Sequence, residues 1–191
     1  MSDAERTYEG FAASHGLAPA VRFWPGPMTP LLTKGGELRP ALSGRLTSGI
    51  DGVVARYEYG RFTYNVVFAR LAESQAFVPR LQCERRGRIT DDTHYGFELR
   101  NSRLWTESEV LNERFEVTVS PFQDSNWLRQ LFAPTFVDWL AHETPGDFSF
   151  ELAYGALLCS VEEDDLDEAG LEALWNAAAT VAGRLRDEAT E

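Results

Sequence analysis

The chain has little cysteine, lysine or histidine and no long apolar run, and each shortage removes a class of function. Its two cysteines, Cys83 and Cys159, lie far apart, each within an apolar, strand-like run. They read as buried thiols of a reducing compartment, although sequence alone leaves a disulfide between them open. The three histidines, His15, His94 and His142, are widely separated. With no cysteine pair beside them, a thiolate or imidazole metal site is not expected. Lys34 is the single lysine among eighteen basic residues, so lysine-based covalent catalysis has one candidate, in a glycine-flanked loop. The preference for arginine, with abundant alanine, reads as the coding bias of a GC-rich bacterial genome. No stretch reaches the roughly 18 apolar residues of a membrane-spanning helix, so no membrane insertion is expected. The first residues, MSDAERTYEG, carry no basic region ahead of an apolar run and do not read as a secretory signal. A cytoplasmic protein is the expectation.

Catalytic signatures are missing as well. There is no G-x-S-x-G nucleophile elbow, no phosphate-binding loop, and no G-x-G-x-x-G after a strand. Lys34-Gly35-Gly36 has the wrong order for a phosphate loop, and His142-Glu143 lacks the second histidine of a zinc-protease motif. Asp91/Asp92 and Glu107/Glu109 are carboxylate pairs, but sequence neighbours in polar stretches do not face each other across a substrate as glycosidase chemistry requires. His94, beside Asp91 and Asp92, has the makings of a carboxylate-oriented base. With no nucleophile or oxyanion element in view, a surface loop is the simpler reading. No cofactor is called for.

What is present is a foldable chain. Its 191 residues suit one globular domain, and 43% hydrophobic content is ordinary for a packed core. Residues 3–15 suit a helix capped by Asp3 and ended by Gly16. Residues 17–40 hold five of the nine prolines and read as irregular, anchored by Val21, Phe23, Trp24, Leu31 and Leu32. Leu42, Gly44 and Leu46 begin a strand. Val53, Ala55, Tyr57 and Tyr59 then alternate into a Gly60-Arg61 turn, and Phe62, Tyr64, Val66 and Phe68 alternate back, the pattern of a hairpin. Phe77 to Cys83 and Tyr95 to Leu99 suggest further strands, with residues 85–94 a polar loop between them. Thr106, three residues before Glu109, suits a helical turn. Phe115, Val117 and Val119 alternate as a half-buried strand.

Trp127, Leu128, Leu131 and Phe132 then follow helical spacing, and Pro134 predicts a break and a second short helix with proline in its first turn. Phe148 to Leu152 and Leu157 to Val161 predict a second hairpin. A long helix follows, with Asp165 and Glu168 as its capping box and Leu171, Leu174, Trp175, Ala178, Val181, Ala182 and Leu185 as its apolar stripe. Short turns between strands and helices grouped apart from them predict an α+β fold: an antiparallel sheet packed by a helical pair and a long C-terminal helix.

The net charge is −12, and six acidic residues fall between Glu162 and Glu168. That field opposes non-specific nucleic-acid binding. The run complements the positive end of the following helix; a calcium loop would need a glycine and spaced oxygen ligands that are missing. Against this background Arg80, Arg85, Arg86 and Arg88 form the one basic cluster, suited to a phosphate or an acidic partner, or equally to the chain's own acidic run. Of the five tryptophans, Trp127 and Trp175 fall on helix stripes and Trp139 lies off its stripe. Trp24 can plug the core or stack on a ligand.

One passage carries a resemblance. Leu111, Phe115-Glu116-Val117, then Phe132, Pro134, Phe136, Val137, Trp139 and Leu140 resemble the F…F-x-V and L-x-P-x-φ-φ-x-W-L pattern of an uncharacterised bacterial family common in actinobacteria. Phe11 to Gly16, Leu42-Ser43-Gly44, Tyr57 to Phe68 and Val78 to Gln82 extend it loosely over most of the chain. The matched positions are mainly apolar or turn residues, so the resemblance implies a shared fold and brings no catalytic residue. Many such members carry membrane segments; none is expected here.

The functional expectation is a non-enzymatic protein-interaction module, with a protein partner or a homo-oligomer and with Arg80, Arg85, Arg86 and Arg88 as its contact residues. The alternatives are a small-molecule or lipid-binding domain with an aromatic-lined groove near Trp24, Tyr57 or Tyr64, and an enzyme of unfamiliar type built on Asp91, Asp92 and His94.

Overall fold

In a computed structural model, residues 2–20, 29–71, 81–86, 102–104, 106–120, 125–153 and 155–188 are described. They form five helices and nine strands: α1 (Asp3–His15), β1 (Ala18–Pro19), a 3-10 turn (Leu32–Lys34), β2 (Glu37–Thr47), β3 (Ile50–Tyr59), β4 (Phe62–Arg70), β5 (Leu81–Arg85), β6 (Ser102–Leu104), α2 (Glu109–Arg114), β7 (Phe115–Val119), α3 (Ser125–Leu131), α4 (Pro134–His142), β8 (Ser149–Ala153), β9 (Ala156–Glu162) and α5 (Glu168–Glu188). The strands make one sheet in the order β1-β2-β3-β4-β9-β8-β5-β7-β6, every pairing antiparallel. The fold is α+β. The strands expected at Tyr95–Leu99 and before Leu81 fall outside the described residues.

The predicted hairpins form as their alternation requires. Tyr59 pairs with Phe62, leaving a two-residue turn in which Gly60 sits at φ +59°, a conformation that costs glycine little. Alternation also assigns the two faces. Val54, Val67, Cys159, Phe150, Cys83, Phe115 and Val117 point to the helices, where Phe11, Leu128, Leu131, Phe136, Leu140, Leu171, Leu174 and Trp175 meet them. The opposite residues, Ala55, Tyr57, Tyr64, Val66, Phe68 and Leu158, form a second, smaller apolar cluster with Leu31 and Leu32. The central strands β4, β9 and β8 are therefore covered on both faces, which explains their near-continuous burial.

Three caps are displaced from their expected positions. Ser2, not Asp3, caps α1, in a reciprocal box with Glu5. Ser108, not Thr106, caps α2; Thr106 Oγ1 instead accepts the Ser108 N–H at 3.3 Å. At α5 the Asp167 carboxylate, not that of Asp165, accepts the Gly170 N–H at 2.8 Å. In each case neighbouring residues offer rival short-range acceptors, and the helix start selects the one with the right reach. The break before Pro134 holds: Ala133 is extended and Pro134 opens α4. The stretch expected to be irregular up to residue 40 already contains β1 and the start of β2 at Glu37.

Candidate functional site

Of the four expected contact arginines, Arg80 and Arg88 lie outside the described residues; Arg85 ends β5 and Arg86 follows it in a turn. Register fixes their surroundings. Arg85 pairs with Phe115 across the β5–β7 ladder, and its guanidinium lies over the Phe115 ring at 5.2 Å. Its backbone N–H donates to Ser149 Oγ at 3.0 Å. The Arg86 N–H donates to the Arg114 carbonyl at 2.8 Å, and its Nε donates to the Asn112 carbonyl at 2.7 Å. Its Nη1 lies 3.5 Å from Glu116, which Arg103 of β6 approaches at 4.0 Å. Arg114 itself is committed to the helical layer, donating to the Ala141 carbonyl near the end of α4, a favourable place for a cation.

The result is an arginine-rich end of the sheet, built from β5, β6, β7 and the end of α2. Among the described residues the Arg85 guanidinium meets no carboxylate. A guanidinium spread on an aromatic face keeps its edge donors directed outward, in a geometry suited to a carboxylate or phosphate. Trp139 of α4 is half-buried, its ring 6.2 Å from that of Phe148. Sequence reading missed Arg103 and Arg114. Arg114 adjoins the Phe115-Glu116-Val117 strand, but only the ladder register places it against Arg86.

The acidic run is not the partner of Arg85 or Arg86. Asp164 gives its carbonyl to Arg56 Nη1 at 2.8 Å, and Glu163 gives its carbonyl to Asn65 Nδ2 at 2.7 Å. Ser14 Oγ donates to Glu168 at 3.2 Å. The run is a helix-entry loop tied to β3, β4 and α1.

Nucleophilic and acid–base candidates are dispersed. Cys83 and Cys159 are free and buried. Each is paired across from Phe150 on opposite sides of β8. That sets them two strand spacings apart, about 10 Å, beyond disulfide reach. Burial raises both thiols above their ordinary range, and each carries a further raising influence, Glu84 for Cys83 and Cys83 for Cys159. Asp91, Asp92 and His94 lie outside the described residues. His15 and His142 sit on different helices, each near a main-chain carbonyl of its own helix. Glu107 and Glu109 are exposed, Glu109 in the first turn of α2. Among the described residues no three His, Cys, Asp or Glu side chains group to hold a metal ion, and no helix is long and apolar enough to cross a membrane.

No protein-family model matches the chain, and none of the curated proteins does. Among solved structures, it is similar to the crystal structure of the mycobacterial trehalose monomycolate transport factor A, TtfA, with a TM-score of 0.58 at 13% identity, over 96% of this chain and 92% of that one. At that identity the likeness is one of fold.

Proposed function

We propose that this chain is a non-enzymatic binding module that presents Arg85, Arg86 and Arg103 to an acidic protein partner. The observation that carries this is the Arg85 guanidinium, supported on Phe115 and facing no carboxylate among the described residues, next to an Arg86 already fixed by Asn112. Side chains held in place before binding lose little conformational entropy when a partner arrives. A local cationic end on a chain of net charge −12 also orients an approaching partner, because the rest of the surface repels acidic groups. The similar fold of a protein named as a transport factor is compatible with a role in which docking, not bond chemistry, is the task.

The test compares proteins captured from the host's own extract by the native chain and by Arg85→Glu/Arg86→Glu, at equal thermal stability. A stoichiometric partner is expected with the native chain and not with the variant. Its capture is expected to weaken as salt rises toward 1 M, where the Debye length falls to about 3 Å. Equal capture by both chains, or capture insensitive to salt, overturns the proposal.

A further inference from the structure

The far face of the sheet holds a different kind of contact. Residues 29–36 lie across β3, β4, β9 and β8 as a single helical turn, with the Thr33 N–H on the Thr29 carbonyl at 3.1 Å and the Lys34 N–H on the Leu31 carbonyl at 3.2 Å. Leu31 and Leu32 are buried among Tyr57, Tyr64, Phe68 and Leu158. The sheet addresses the backbone of this turn. Glu151, only 5% exposed, accepts the Leu31 N–H at 2.9 Å. Tyr57 Oη donates to the Leu31 carbonyl at 3.1 Å and accepts the Gly36 N–H at 2.9 Å.

Three features of this contact bear on recognition. First, a helical turn exposes amide groups at its start that need acceptors, and β8 keeps a carboxylate out of water to supply one. Second, the groove reads two adjacent leucines and main-chain groups, features another segment offers only if it carries the same leucines. Third, the turn leaves through Gly35, at φ +79°, and Gly36, where a side-chain carbon would lie 2.4 Å from the Glu58 carbonyl and 2.6 Å from the Tyr57 ring. The segment meets the groove at one close approach, where an added side chain has no room unless something shifts.

We propose that the outer face of β3, β4, β9 and β8 is a peptide-binding groove occupied in cis by residues 29–36. A partner segment with two adjacent leucines in a helical turn competes for it. Glu151 takes the partner's free N–H, Tyr57 bridges its main chain, and Tyr64, Phe68 and Leu158 receive its leucines. The groove is separate from the arginine end, and its fate does not depend on that proposal.

The experiment uses a labelled peptide of residues 28–37, MTPLLTKGGE, read by fluorescence anisotropy against the full chain. Two variants loosen the native segment independently: Leu31→Ala/Leu32→Ala empties the leucine sites, and Gly36→Val obstructs the close approach. Both are expected to bind the peptide at least about tenfold more tightly than the native chain, a difference well within reach of such a measurement. The same peptide with both leucines changed to alanine is expected not to bind, and Glu151→Leu added to Gly36→Val is expected to abolish binding. Folded variants that bind no peptide, or bind the leucine and alanine peptides alike, overturn the proposal. So does loss of the cooperative thermal transition in both variants, which would make the segment an integral part of the core.

Discussion

The helix-covered face of the sheet and the strap-covered face bury comparable kinds of residue by different means. On the helix side, Phe115, Phe150, Cys83 and Cys159 meet Phe136, Leu131, Leu140 and Leu171 from separate helices, with close-packed side chains and few polar contacts. On the other side, two leucines from one irregular turn are held by Tyr57 and by the carboxylate of Glu151. The first face is specified by volume, so any loss there is felt through a cavity. The second is specified by a few polar contacts around a small apolar patch, so it can be exchanged piece by piece. A binding groove is more readily made from the second design than from the first.

The sharpest way to break this comparison is on the helix face. Phe115→Ala removes a side chain 2% exposed and is expected to lower unfolding free energy by about 3–5 kcal/mol in denaturant titration. A loss under about 1 kcal/mol would place Phe115 at the surface and remove the distinction. A second effect tests dryness directly. Burial raises the Cys83 and Cys159 thiols in the folded chain. The unfolded chain therefore releases those protons first, beginning near pH 8.5. Stability from the neutral thiols is intact below that pH and falls above it, by about 1.4 kcal/mol per pH unit for each thiol until the folded group titrates. Denaturant titrations from pH 7 to 10 are expected to show this fall, and Cys83→Ala/Cys159→Ala is expected to flatten it. An equal slope in the variant would mean that the thiols do not set it.

The outer face is expected to answer more weakly. Leu31→Ala should cost about 2 kcal/mol, the lower end for a buried leucine, because a one-turn strap can settle into the space it leaves. A cost equal to that of Phe115→Ala, measured under the same conditions, would show that both faces are built alike.

Legibility in the sequence divides along the same line. The β3–β4 and β8–β9 hairpins, the break at Pro134 and the stripe of α5 are local patterns, and periodicities of 2.0 and 3.6 residues carry them. The helix face is their sum. Glu151 was not legible. In Ser149-Phe150-Glu151-Leu152 it reads as the solvent position of an alternating strand, and its burial comes from Leu31, 120 residues away in the chain. Leu31 and Leu32 were legible as anchors but not their target, because an irregular segment has no period from which to infer a register. The arginine end was half legible. A run of arginines marks itself, but its attachment to Phe115, Asn112 and Glu116 depends on the order β5-β7-β6, in which β5 has β8 and not β6 on its other side. Non-consecutive pairing leaves no local trace.

The smallest expected effect separates scaffold from surface. Arg85→Glu/Arg86→Glu removes one cation–π contact, one exposed hydrogen bond from Arg86 to the Asn112 carbonyl and one half-exposed ion pair to Glu116, which keeps Arg103 close by. Exposed pairs contribute about 0–1 kcal/mol, and the backbone bonds of Arg85 to Ser149 and of Arg86 to Arg114 do not depend on the side chain. Unfolding free energy is therefore expected to change by less than about 1 kcal/mol. A drop of 3 kcal/mol or more, like that of Phe115→Ala, would make these arginines part of the scaffold. The arginine end would then belong with the helix face, as a place where the chain holds itself together, and the strap groove would be left as the site with exchangeable contacts.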